Sequence, residues 1–79
     1  MQVNTAVGHI GRICEDNDDG TGKLNTFFHQ VEKMLTEGKK KLCQLKQDIC
    51  HKMSSIGIPS TIQKQIIHVI NKIKEPAHA

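Results

Sequence analysis

Cys43, Cys50, His51 and His29 are where metal or thiol chemistry in this chain would have to start. His29, Cys43 and Cys50 share one heptad position, but on a continuous helix that stripe runs over about 31 Å at ~1.5 Å per residue, too far for one ion. Neither a Cys-x2-4-Cys nor a His-x3-5-His pair is present, so the cysteines read as small, semi-buried apolar residues. Cys50 and His51 are neighbours in sequence and point about 100° apart on a helix, which keeps the imidazole from serving the thiol as a base. Asp16-Asn17-Asp18-Asp19-Gly20 looks like the start of a calcium loop. With Gly20 at the turn, however, the twelfth position is Thr26, and with Gly22 there it is Phe28. Neither register supplies the closing bidentate carboxylate. The acidic piece therefore reads as a polar loop. No catalytic, metal or cofactor-binding residue is assigned, and a non-enzymatic protein is expected.

The lysines offer binding rather than catalysis. Lys39, Lys40 and Lys41 are consecutive, and Lys33 and Lys46 lie close by; these five are the candidate nucleic-acid contacts, since such charge attracts phosphate. Against that reading, the body of the chain has no Arg to read guanine edges, its aromatic residues are only Phe27 and Phe28, and Glu32 and Glu37 dilute the patch. A lipid-surface helix is a weaker reading of the same pattern. Charge is also unevenly distributed. Residues 1–22 carry Glu15, Asp16, Asp18 and Asp19 against Arg12, a balance of −3. Residues 23–79 carry ten Lys against Glu32, Glu37, Asp48 and Glu75, a balance of +6, and the whole is +3.

Such side chains must be positioned by helices. Phe28, Leu35, Leu42, Ile49 and Ile56 fall at one heptad position, and Leu24, Val31, Gly38, Leu45 and Lys52 at the other. Alternating three- and four-residue spacing is that of a helix packing on a helix. The unbroken register, and the lack of a capping residue in Lys39-Lys40-Lys41, favour one long helix over about 24–55 with Gly38 inside it. The alternative is a break at Gly38, which gives a three-helix bundle. Ser54-Ser55-Ile56-Gly57-Ile58-Pro59 is a stop. Ser60-x-x-Gln63 then matches a capping box, followed by Ile62, Ile66, Val69, Ile70 and Ile73 on one arc, with Ile67 outside it. The short helix spans about 60–74 and folds back antiparallel. Val3, Val7 and Ile10 are too sparse for a firm helix, so residues 1–22 read as a flexible acidic leader before a helical domain at 23–79. A short helix over Val7 to Ile13 forms only if something covers it. The expected class is all-α, a helical hairpin with a leader.

Cys43 and Cys50 are too far apart along one helix to bridge, and three is an odd count. Together with an N-terminus that lacks a charged start and an apolar run, this suggests reduced thiols and an intracellular protein, cytoplasmic or nuclear. No apolar run reaches the roughly 18 residues of a membrane span. Met34-Leu35-Thr36-Glu37-Gly38, and later Gly57-Ile58-Pro59 before an aliphatic helix, resemble the small gamma-tubulin-complex adaptors of the MOZART kind. That resemblance implies a short helical protein that embraces a partner's helix. It covers under half of the chain, with longer spacing between the two pieces and no diagnostic residue, and is not adopted as a family assignment.

The folded-back helix is too short to cover the whole seam. Leu35, Leu42, Leu45 and Ile49 are expected to pack against Ile62, Ile66, Val69 and Ile73. Phe27, Phe28, Val31 and Leu35 are then the partner-binding end. The reading is a helical protein–protein interaction module with no membrane span, self-associating as a homo-oligomer or docking on a helical segment of a larger protein. The alternatives are a basic helical nucleic-acid-binding protein and a small secreted helical factor.

Overall fold

The computed structural model describes residues 2–73. They form four helices, α1 (Val3–Asp16), α2 (Lys23–Glu37), α3 (Leu42–Ser55) and α4 (Ser60–Asn71), and no strand. Helix α1 packs on α2 and α4, and α3 packs on the same two, so the helices close into a ring around one core. The all-α expectation holds. The two-helix hairpin with a leader does not, and two local features account for the difference.

The first is the N-terminal segment. Residues 3–16 are helical, and Ala6, Val7, Ile10 and Cys14 are buried on one face, with Val3 and Ile13 partly buried beside them. The sequence reading undercounted this face because two of its members, Ala6 and Cys14, are small. The close approach of α1 to α2 is made at Gly11. A Cβ placed on Gly11 would lie 3.0 Å from Cζ and 3.2 Å from Cε1 of Phe28, so the ring occupies the space that a side chain at position 11 would need. The covering that a helix here required comes from within the chain.

The second is Gly38, which has φ +64° and ψ +21° and ends α2 in the left-handed conformation. One long helix over 24–55 is therefore corrected to two, joined by residues 38–41. Residues with a Cβ are strained in that conformation, and glycine is not. The shared register misled because two helices that face one core need no common phase, so its persistence across the four-residue link is no sign of continuity. Within each helix the buried positions are Leu24, Phe27, Val31 and Leu35, then Leu45, Ile49 and Met53. That is the 3.6-residue period of a globular helix rather than the 3.5 of a coiled-coil seam. Phe28, Leu42 and Ile56, three of the five residues at one expected seam position, are accordingly only half-buried.

The link between α3 and α4 folds as its residues require. The Ile58 amide donates to the Met53 carbonyl at 3.0 Å and the Gly57 amide to the Ser54 carbonyl at 3.3 Å, with Gly57 at φ +76°. These are the paired bonds of a Schellman cap, and Met53 and Ile58, the positions such a cap brings together, are both buried. At the start of α4 the capping residue is Pro59 rather than Ser60. Proline has no amide to offer, so Gln63 Nε2 reaches back to the Ile58 carbonyl instead, at 2.7 Å. Ile62, Ile66, Val69, Ile70 and Ile73 are buried and Ile67 is half-buried, as the arc predicts. Lys46 Nζ donates to Asn71 Oδ1 at 2.8 Å, tying the first half of α3 to the last turn of α4 and making that pair antiparallel. The expected helix end at Lys74 lies outside the described residues.

The sign of one substitution separates the two architectures. If Gly38 lay inside a continuous helix, Gly38→Ala would stabilise the protein by about 1 kcal/mol. In the left-handed turn the same change costs about 1–2 kcal/mol. We expect the loss, read as a lower urea midpoint at unchanged slope.

Candidate functional site

The partner-binding residues expected from the sequence lie inside the molecule. Phe27 and Val31 are each 1% exposed and Leu35 is buried, while Phe28 is half-buried with its ring over Gly11. Among the described residues no large hydrophobic side chain is exposed and no polar side chain is buried. The premise of an uncovered seam is thus corrected: α1, with α3, α4 and the rest of the core cluster, fills the place assigned to a partner. Of the packing-seam residues, Leu45, Ile49, Ile62, Ile66, Val69 and Ile73 are buried and Leu42 is half-buried. Met53, Ile58, Ile70, Ile10 and Cys14 complete that core. Met53 stands next to Lys52, which the heptad register had placed at the seam.

What stays outside is charge. Lys39, Lys40 and Lys41 form the exposed link between α2 and α3, and Lys33 lies one turn before the end of α2. Lys33 and Lys39 are 79% and 80% exposed at the side chain and flank Glu37, at 4.0 and 3.7 Å. Lys40 Nζ donates to Asp48 Oδ2 at 2.8 Å, and Gln44 Nε2 donates to Asp48 Oδ1 at 3.1 Å. The hydrogen bond from Lys40 first, then that from Gln44, holds the Asp48 carboxyl below the usual carboxylate range. Lys46 is drawn away to Asn71. Four of the five lysines named from the sequence, Lys33, Lys39, Lys40 and Lys41, thus sit at or near one turn, interleaved with two carboxylates; Lys41 has no ion-pair partner among the described residues.

The acidic segment lies at the opposite end of α2, in the link 17–22 and the last turn of α1. Asp19 Oδ1 accepts from the Thr21 hydroxyl at 2.6 Å and the Thr21 amide at 3.1 Å, and the Thr21 hydroxyl accepts from the Lys23 amide at 3.2 Å. The carboxylate closes a turn on its own backbone and indirectly satisfies the first amide of α2. The bonds from Thr21 lower the Asp19 pKa. Its geometry is that of a local turn, and among the described residues no three His, Cys, Asp or Glu side chains converge as a metal site.

A groove of about 640 Å³ runs between α1 and α2, lined in part by Gly8, Gly11, Arg12, Glu15, Asp18 and Phe28. Cys14 also borders it, but burial pushes that thiol up to about 11, so at neutral pH it is protonated and a poor nucleophile. Cys43 is exposed and Cys50 half-buried on α3, while His29 belongs to α2, where its ring stands 6.0 Å from that of Phe28. The structure therefore does not gather the soft ligands weighed from the sequence.

The three thiols are chemically distinct. With a disulfide-forming thiol reagent we expect rapid labelling of Cys43, slower labelling of Cys50, and labelling of Cys14 only on unfolding. Because the folded Cys14 pKa is raised, its neutral burial stabilises fully below the ordinary value of 9.0 and is lost as pH rises through about 11. Stability should fall across that window in the parent and more weakly in Cys14→Ala. Equal slopes in a pH series of urea unfolding would contradict this assignment.

No helix among the described residues is long and apolar enough to cross a membrane. No family model, curated protein or solved structure matches this chain.

Proposed function

We propose that this chain is a non-enzymatic helical interaction module that docks on an acidic protein surface through the α2–α3 turn. The observation that supports it is the pairing of a wholly internal apolar set with an exposed basic corner made by Lys33, Lys39, Lys40 and Lys41. Charge of this kind steers encounter and sets specificity more than it sets affinity. A short turn between two packed helices holds its backbone better than a free tail would, which lowers the ordering cost of binding. Self-association through the aliphatic seam is not the favoured route, because Phe27, Val31 and Leu35 already have intramolecular neighbours.

Nucleic acid is the second reading, favoured by three consecutive exposed lysines. Glu37 and Asp48 weigh against it. Each sits within ion-pair distance of the lysines and lowers the field that a phosphate backbone would meet. A protein surface of mixed charge tolerates such interleaving better than a uniform polyanion does.

The two readings separate in one binding series. A labelled helical peptide of net negative charge, in which Glu is interspersed with Lys, and a single-stranded oligonucleotide are titrated with the full chain at about 20 and 200 mM salt. We expect measurable peptide binding that Lys39→Glu/Lys41→Glu weakens roughly ten-fold at unchanged melting temperature. Oligonucleotide binding that is tighter and falls steeply with salt would transfer the function to the second reading. Peptide binding indifferent to the charge reversal would remove this surface from the argument.

A further inference from the structure

The two links that flank α2 carry opposite charge. At one end of this helix Glu15, Asp16, Asp18 and Asp19 stand against Arg12 and Lys23; at the other Lys33, Lys39, Lys40 and Lys41 stand against Glu37 and Asp48. Four charges against two at each end give balances of −2 and +2. Helix α2 has 15 residues, so the links 17–22 and 38–41 are separated by about 22 Å at ~1.5 Å per residue. Side chains cannot bridge that distance, and it exceeds the ~10 Å over which charge is felt at 0.1 M salt. Neither end satisfies the other within one molecule.

Each end also holds charge that its own neighbours leave unmet. Asp19 is taken by Thr21, but Glu15, Asp16 and Asp18 are exposed and make no side-chain hydrogen bond or ion pair among the described residues. Glu15 and Asp18 line the groove between α1 and α2, together with Gly8, Gly11 and the ring of Phe28; Arg12 lines it too. Such a groove suits a lysine, whose carbon stem lies along apolar surface while its ammonium stays among carboxylates and water. At the basic end one carboxylate, Glu37, serves both Lys33 and Lys39, at 4.0 and 3.7 Å, and Lys41 has no ion-pair partner among the described residues. What each end lacks is held by the other end of a second copy.

We propose that the acidic surface met by the α2–α3 turn is the 15–19 end of a second copy of this chain, with Lys39 and Lys41 of one copy set against Glu15 and Asp18 in the groove of the next. The inference rests on that turn being a site for an acidic protein surface, and it names the surface. A contact between unlike ends is heterologous. Each pairing leaves a basic end free on one copy and an acidic end free on the other, so copies add in series rather than closing as a two-fold dimer. The whole-chain charge of +3 opposes this only weakly, because the mean field is screened over ~10 Å at 0.1 M salt whereas the paired groups touch. Exposed ion pairs are individually weak, so the association is reversible and salt dissolves it.

Light scattering on the full chain across a concentration series, at about 50 and 500 mM salt, tests the pairing. The mean mass is expected to rise with concentration at the lower salt, and the association constant to fall roughly ten-fold at the higher. Two variants each remove one end, Lys39→Gln/Lys41→Gln and Glu15→Gln/Asp18→Asn, at positions that are all exposed. Each alone should associate about five-fold more weakly than the parent at unchanged melting temperature. Mixed in equal amounts, they should form one-to-one pairs and nothing larger, because a single complementary pair of ends remains. Glu15→Gln/Asp18→Asn keeps the lysines and should still bind the acidic helical peptide. A parent that stays monomeric at both salts while binding that peptide would overturn the second copy as partner and leave the basic turn standing as a protein site. Loss of peptide binding as well would remove both. Self-association indifferent to salt, or equal to the parent's in either variant, would also overturn the pairing of ends.

Discussion

The approach of Phe28 to Gly11 is the contact on which the rest of this structure depends. It shows how near α1 comes to α2, whose Phe27, Val31 and Leu35 are inside the protein. A chain of this size buries only a modest fraction of its surface, and with two Phe and no Trp or Tyr its core is aliphatic. Leaving one face of α2 open would forfeit a large share of what holds the chain together. Helix α1 supplies the missing layer with small residues, because a bulky side chain at position 11 would push the helices apart.

That arrangement has a consequence for function. Once the aliphatic residues are enclosed, what the molecule offers to others is its polar exterior. The exterior is divided: the acidic link 17–22 at one end of α2, the lysine-bearing link 38–41 at the other. Neither end is a bare charge. Asp19 is engaged by Thr21, Glu37 stands between Lys33 and Lys39, and Asp48 holds Lys40. Exposed pairs of this sort contribute little to stability. Their effect is to moderate the field that the lysines present.

Much of the fold was legible in the residues. The Gly57-Ile58-Pro59 stop, the antiparallel return and the buried arc of α4 all follow from local rules, because each rests on a few neighbouring residues: a glycine at positive φ, a proline without an amide, isoleucines at helical spacing. The break at Gly38 was visible only as an alternative. A glycine after a helical run signals an end, but continuity of apolar phase argued the other way, and a link of suitable length keeps that phase without keeping the helix. The shift of the buried position from Phe28 to Phe27 belongs here too. A coiled-coil register and a globular helix diverge by only ~20° per heptad, which is too little to distinguish over two turns.

The candidate site was less legible. The lysines could be named from their run, yet their pairing with Glu37, Asp48 and Asn71 could not, since Lys40 reaches a residue eight positions on and Lys46 one twenty-five positions on. By itself the sequence determined helical class, the position of the last turn, an aliphatic core and the division of charge, all of which depend on residue type and short-range spacing. Only the tertiary structure decided that residues 3–16 are helical and that the phenylalanines are enclosed. The reason is physical: a segment with two interior glycines and few helix formers folds for the surface it covers, and that surface exists only once the other helices are in place.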